Sequence, residues 1–312
     1  MKIDVEKIRE VLTADEITVL GLRSLYTSYG YERYKMSKFE EYDLYAKNKD
    51  YLVSHGVITF TDTDGSLMAL KPDVTLSIVK NGKDGEGITK VCYNENVYRV
   101  SKGTRAFREI MQVGIECIGN IAEAEVTEVV YLAAKSLESI SDEWCLELSD
   151  LDIVSSVISA LSLSAEGARE VLSALSGKNR SQAETVLDRE CVPEENRVAL
   201  WALFDNYGDA DTVVRVLSGI DLGEAGAAAL ADLKSVVSGV KAKMENANLR
   251  VDFSLSADTK YYNGIAFSGF VAGAPTAVLS GGRYDNLMKR MKRRDRAVGF
   301  AVYLDELENL PR

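Results

Sequence analysis

The chain runs to 312 residues, long enough to bury a large core as one big domain or two smaller ones. Apolar residues make up 46% and charged residues 27%, with only four prolines, which excludes a disordered linker and fits an ordinary globular protein. A net charge of −11 repels a phosphate backbone and argues against nucleic acid, and no apolar run approaches the roughly 20 residues that span a bilayer.

The amino terminus, MKIDVEKIREVL, is charged and amphipathic rather than a signal sequence, so the expected location is the cytoplasm. From Ala14 to Gly30 the apolar positions Val19, Leu22, Leu25, Tyr26 and Tyr29 keep helical spacing, with Asp15 near the start and Gly30 just past the end. His55, the sole histidine, sits beside a turn glycine without visible catalytic partners and reads as a surface or loop residue. Val57 to Leu70 predicts two short strands around Asp64-Gly65; Pro72 then opens a new element, with Thr75 to Lys80 helical.

Strands are expected at 88–98 and 107–118, a helix over Glu123–Ser141 and a strand over Trp144–Leu148. Residues 152–245 are rich in Ala, Leu, Ser and Glu with helical periodicity and almost no strand signal. Strand character returns at Arg250–Leu255, Tyr261–Val271, Thr276–Leu279 and Ala297–Val302. The pattern predicts one α+β domain over 1–312, interrupted by a helical insertion at 152–245. Cys92, Cys117, Cys145 and Cys191 are too scattered for a zinc site and read as small core residues. No metal or other cofactor is expected.

Residues 97–119 join an arginine-rich loop to a strand with polar residues on one face. Side chains alternate along a strand, so Arg108, Ile110, Gln112, Gly114 and Glu116 share a side. Gln112 and Glu116, roughly 13 Å apart at about 3.3 Å per residue, can reach opposite ends of one small polar ligand, with Gly114 leaving it room. A basic run, KRMKRRDR at 289–296, carries six cations and one acid and reads as a solvated helix end and loop, or as a contact for a partner's acidic surface or a phosphate.

Read together, LMALKPDVT at 67–75, the 97–119 segment and KYYNGIAFSGFVAGAPTAVLSGGRYDNL at 260–287, followed by AVGFAVYLDEL at 297–307, resemble the catalytic core of histidyl-tRNA synthetase. YGYERYKMSKFEEYDLY at 29–45 looks like that family's first motif, 97–119 like its second and AVGFAVYLDEL like its third. The resemblance implies a class II synthetase antiparallel sheet flanked by helices. It also implies a histidine pocket: Asp73 and Thr75 on the ammonium, Gln112 near the carboxylate, and Glu116 with Tyr262 and Tyr284 around the imidazole. Carboxylates suit an ammonium and a ring N–H, and tyrosine rings pack on a planar heterocycle.

The family's nucleotide cations are thinner here. Ala257 and Glu306 stand where the family carries arginines, Lys260 replaces an aspartate, Val100-Ser101 replaces a glutamate and Ser37 a proline. Arg99, Arg105 and Arg108 remain as candidates for a nucleotide or phosphate contact. An amino-acid pocket beside a depleted nucleotide site, with no anticodon-binding domain expected after Arg312, is similar to the regulatory subunits of ATP phosphoribosyltransferase. That likeness implies a short-form catalytic partner, a hetero-oligomer built on dimers of this chain, histidine as feedback effector, and no catalytic residue or tRNA charging here. The alternatives are a divergent enzyme that adenylates histidine and a free-standing binding protein that senses histidine or another small amino acid.

Overall fold

The computed structural model describes residues 11–48, 52, 56–82, 85, 87–100, 106–258 and 261–307; the amphipathic start at 1–10 and His55 lie outside them. Helix α1 (Ala14–Ser28) opens on a capping box in which the Thr13 hydroxyl accepts the Glu16 N–H and the Glu16 carboxylate accepts the Thr13 N–H. Two donors that a helix start leaves orphaned are thereby satisfied. The helix buries Val19, Leu22 and Tyr26.

Two short strands follow, β1 (Glu32–Arg33) and β2 (Phe39–Glu41), then α2 (Tyr42–Lys47) and the expected hairpin, β3 (Thr59–Thr61) with β4 (Leu67–Leu70). Strands β2, β4 and β3 make a small three-stranded sheet. Beyond it come α3 (Val74–Asn81), the long pair β5 (Thr89–Val100) and β6 (Phe107–Gly119), α4 (Glu123–Ile140) and β7 (Trp144–Asp150).

The helical block comprises α5 (Leu151–Ala160), α6 (Ala165–Ser176), α7 (Arg180–Arg189), α8 (Val198–Asp205), a two-residue strand β8 (Gly208–Asp209), α9 (Ala210–Leu217) and α10 (Gly223–Lys243). The chain then forms β9 (Leu249–Val251), β10 (Ile265–Val271), β11 (Leu279–Arg283), α11 (Asp285–Arg290) and β12 (Arg296–Tyr303). Among the described residues no helix is long and apolar enough to cross a membrane.

The main sheet has nine strands in the order β1-β5-β6-β12-β11-β10-β7-β9-β8. From β5 to β7 all neighbours are antiparallel, and the pairings β1–β5 and β7–β9 toward the two ends are parallel. The two faces divide the work of the fold. Ile115, Cys117, Phe267 and Phe300 point to the back, where α1, α4 and the helical block cover them in one continuous apolar core. A smaller core joins α3 and α11 to the front of β5.

Four expectations need correction, the first being that the strand expected over Tyr261–Val271 begins only at Ile265. Strand Arg250–Leu255 stops at Val251, because the Asp252 carboxylate accepts the Ser254 N–H at 2.9 Å and turns the chain into a 3-10 helix, Phe253–Asp258. The strand expected at Thr276–Leu279 lies instead at Leu279–Arg283, where a glycine pair with little strand propensity is held by partners on both sides. Cys92 and Cys117 are buried as expected, but Cys191 is exposed and in a left-handed turn.

Candidate functional site

Directly paired residues of antiparallel strands share a face, so the register lists the front surface of the sheet. Glu116 pairs with Gly299, Gly114 with Ala301 and Gln112 with Tyr303; one strand further, Ser280 pairs with Ala301 and with Ser268. The result is a floor of glycine, alanine and serine between larger polar groups. Above it lies a cavity of about 360 Å³, walled by Asp73 and Thr75 from the start of α3, Tyr93 and Arg99 from β5, and Tyr261, Tyr262 and Tyr284. This volume is in the range of small-molecule sites.

Glu116 is 1% exposed. Its Oε1 accepts the Thr75 hydroxyl at 2.6 Å and its Oε2 the Tyr284 hydroxyl at 2.5 Å. Burial pushes its carboxyl up to about 8; the two hydroxyls oppose that shift and the nearby Asp73 adds to it. Among the described residues no cation pairs with it. A Cβ on Gly299 would stand 1.9 Å from Oε2, so only glycine lets the strand pass beneath this carboxylate.

The room expected at Gly114 is used differently. A Cβ there would lie 2.5 Å from the Tyr93 hydroxyl and 2.3 Å from the Phe300 carbonyl, so the space belongs to Tyr93 and to the neighbouring strand rather than to a ligand. Tyr93 was not legible as a site residue without the register that sets it opposite Gly114. The remaining rings cluster: Tyr261 lies 4.8 Å from Tyr262 and 6.1 Å from Tyr284, centroid to centroid. Tyr284 is 2% exposed, and burial raises its hydroxyl pKa well above the ordinary tyrosine value.

Asp73 has two tasks. As N-cap of α3 it accepts the Leu76 N–H through Oδ1 at 2.8 Å, while Oδ2 faces an Arg99 nitrogen at 3.6 Å. Burial raises its pKa, and the Arg99 guanidinium and the capped amides pull the other way. The site thus presents two buried carboxyls, one near a guanidinium and one met only by hydroxyls, above a floor with room for a small planar group.

The sequence profile of histidyl-tRNA synthetases matches residues 11–307. The chain belongs to the histidyl-tRNA synthetase family. The ATP phosphoribosyltransferase regulatory subunit of Alkaliphilus metalliredigens is 25% identical to it over 284 residues, 89% of this chain and 72% of that protein. A crystal structure described as an ATP phosphoribosyltransferase regulatory subunit/histidyl-tRNA synthetase from Bacillus halodurans superposes with a TM-score of 0.81 at 22% identity, over 96% of this chain and 81% of that one. A chain from the ATP phosphoribosyl transferase (HisG:HisZ) complex of Thermotoga maritima superposes with a TM-score of 0.74 at 19% identity, over 94% of this chain and 98% of that one. These structures show that the fold is that of a class II synthetase core.

The six residues picked out by resemblance to this family, Asp73, Thr75, Gln112, Glu116, Tyr262 and Tyr284, all line the one cavity. Thr75, expected beside Asp73 at an ammonium group, also reaches the second carboxyl, its hydroxyl donating to Glu116. Arg99 lines the cavity, Arg108 is exposed and does not line it, and Arg105 and Lys260 lie outside the described residues. Glu306, just past β12, accepts the Thr276 hydroxyl at 2.7 Å. In the basic run, Arg293 turns inward to the Val79 carbonyl at the end of α3, at 2.7 Å, while Lys289, Arg290, Lys292 and Arg296 are exposed.

Proposed function

We propose that this chain is a non-catalytic regulatory subunit of ATP phosphoribosyltransferase and that histidine occupies the cavity as feedback effector for the first step of histidine biosynthesis. Its partner on this reading is the short-form catalytic subunit, joined in a cytoplasmic hetero-oligomer built on a homodimer of this chain. Relatives of that description align along about nine-tenths of the chain, as with the 89% covered by the Alkaliphilus protein. Phosphoribosyl transfer belongs to the partner, and no catalytic residue is assigned here.

The observation that carries the ligand is the charge pattern of the cavity. Asp73 with Thr75 suits an ammonium, Gln112 the carboxylate end, and Glu116 with Tyr262 and Tyr284 a ring bearing N–H donors. A polyphosphate would meet few of the cations that adenylation needs, where loss of a single stabilising donor costs about 10²- to 10³-fold in rate. Feedback requires histidine to bind the inhibited assembly more tightly than the active one, since an effector moves an equilibrium only by its differential affinity.

The test is ATP phosphoribosyltransferase activity of a short catalytic subunit, with and without this chain, across a histidine titration. Activation by the chain together with inhibition by histidine is expected. Absence of both overturns the proposal, and histidine-dependent exchange of pyrophosphate into ATP by the isolated chain would replace it with the adenylating alternative.

A further inference from the structure

We infer that Arg99 is a positioning residue, whose guanidinium holds the Pro72–Asp73 segment against β5 so that the Asp73 carboxylate faces the cavity as a ready site for a ligand's ammonium group. The inference deepens the proposed histidine site and rests on it for the identity of the ligand. Its geometry stands alone.

Three successive attachments tie residues 71–73 to β5. The Lys71 ammonium, fully buried, pairs with Glu95; the Lys71 carbonyl accepts the Tyr98 N–H at 3.0 Å; and the Pro72 carbonyl accepts Arg99 Nε at 2.7 Å. Only the last also brings charge to the site, because the same guanidinium stands 3.6 Å from Asp73 Oδ2. That separation is an ion-pair distance rather than a good hydrogen bond, so the link to Asp73 is electrostatic and the link to Pro72 directional.

The arginine side chain is 11% exposed, which limits solvent screening of the pair. Asp73 in turn fixes the first turn of α3 through Leu76, and that turn carries Thr75 into contact with Glu116. One cation on β5 therefore sets the position of the α3 wall and favours a charged Asp73. An ammonium arriving from the cavity side meets an oriented carboxylate without first having to order the segment.

The groups facing Asp73 are Arg99 and Tyr93 from β5, Glu116 from β6, Tyr45 from α2, and Tyr261. Burial raises the pKa of each of these tyrosines, so they stay neutral near pH 7. Glu116 titrates in both wild type and Arg99 variants, and comparison between the two at each pH isolates the contribution of Arg99.

The experiment is calorimetric titration of the full chain, wild type, R99Q and R99K, from pH 6 to 8.5, with histidine and with its deamino analogue imidazolepropionate, which lacks the ammonium. R99Q is expected to weaken histidine about tenfold or more, with the loss growing as pH falls, and to change imidazolepropionate by less than about twofold. R99K, which keeps the charge, should restore most of the histidine affinity and the wild-type pH profile. Equal losses for both ligands, or no loss for histidine, would overturn the inference. So would ATP binding to the wild type that R99Q abolishes, which would assign Arg99 to phosphate instead.

Wild type that binds neither imidazole ligand would sink the histidine proposal separately. The Arg99 inference then rests on urea unfolding of R99Q, D73N and the double variant without ligand. Coupling of about tenfold in the folding equilibrium supports it, and strict additivity removes it.

Discussion

Glu116 makes stability depend on pH in a direction opposite to most carboxylates. Its folded pKa of about 8 lies above the ordinary glutamate value of 4.5, so between those values the folded protein holds a proton that the unfolded chain has released. The stabilisation is complete below about 4.5, declines as pH rises, and is gone above about 8, a total on the order of 5 kcal/mol at about 1.4 kcal/mol per pH unit. Asp150, raised to about 7 by burial beside Asp152, adds a second decline of the same sign. E116Q mimics the protonated group, keeps partners for Thr75 and Tyr284, and should be the more stable protein at pH 8.5. Urea unfolding at pH 5.5 and 8.5 checks this: the wild type should lose more stability between the two than E116Q, and parallel losses would refute the assignment. G299A acts on the same carboxylate by collision instead of charge. Its methyl group would need to displace Glu116 or the strand, with an expected cost of about 1–3 kcal/mol by denaturation and, on the proposed function, loss of histidine binding.

Glycines in different elements should respond to the same substitution with opposite signs. Gly21 lies exposed in the interior of α1 with nothing within 4 Å of a built Cβ, so G21A should raise stability by about 0.5–1 kcal/mol. Gly114 lies in β6 against the Phe300 carbonyl and the Tyr93 hydroxyl, so G114A should lower it by about 1–3 kcal/mol. Chemical denaturation of the two variants reads both signs. The contrast also locates what sequence patterning could reach. Periodicity found α1, α3, α4 and the β5–β6 pair to within a few residues, because each carries its own apolar stripe or alternation. It misplaced β11, whose Ser-Gly-Gly stretch has weak intrinsic strand preference and is fixed by β10 and β12 on either side. It overran β9, where a local Asp252 to Ser254 bond wins over continued pairing. The six cavity residues named from family resemblance came from three separated segments, while Tyr93 and the small-residue floor depended on register, a tertiary quantity.

At the scale of the whole molecule, the helical block and the sheet share one apolar core, not two. Val154 and Val157 of α5 and Leu233 and Val237 of α10 belong to the same buried cluster as Ile115, Phe267 and Phe300. The chain path reinforces this, since β7 enters the block and is flanked in the sheet by β9 and β10, both formed after the block ends. Losing the block would strip the back of the sheet and break the register of β7 at once. The expected behaviour is one cooperative unfolding transition for both regions. The two tryptophans allow a direct reading, because Trp144 opens β7 and Trp201 lies in α8. Fluorescence of W144F then follows the block alone and that of W201F the sheet alone. Relative to each variant's own far-ultraviolet circular dichroism, both fluorescence midpoints in urea should coincide. A block that melts at lower urea than the sheet would show that the shared core does not couple them. In that case the wall of the cavity formed by β10 and β11 would keep its shape when the block opens, and a ligand bound there would leave the fluorescence midpoint of Trp201 unmoved.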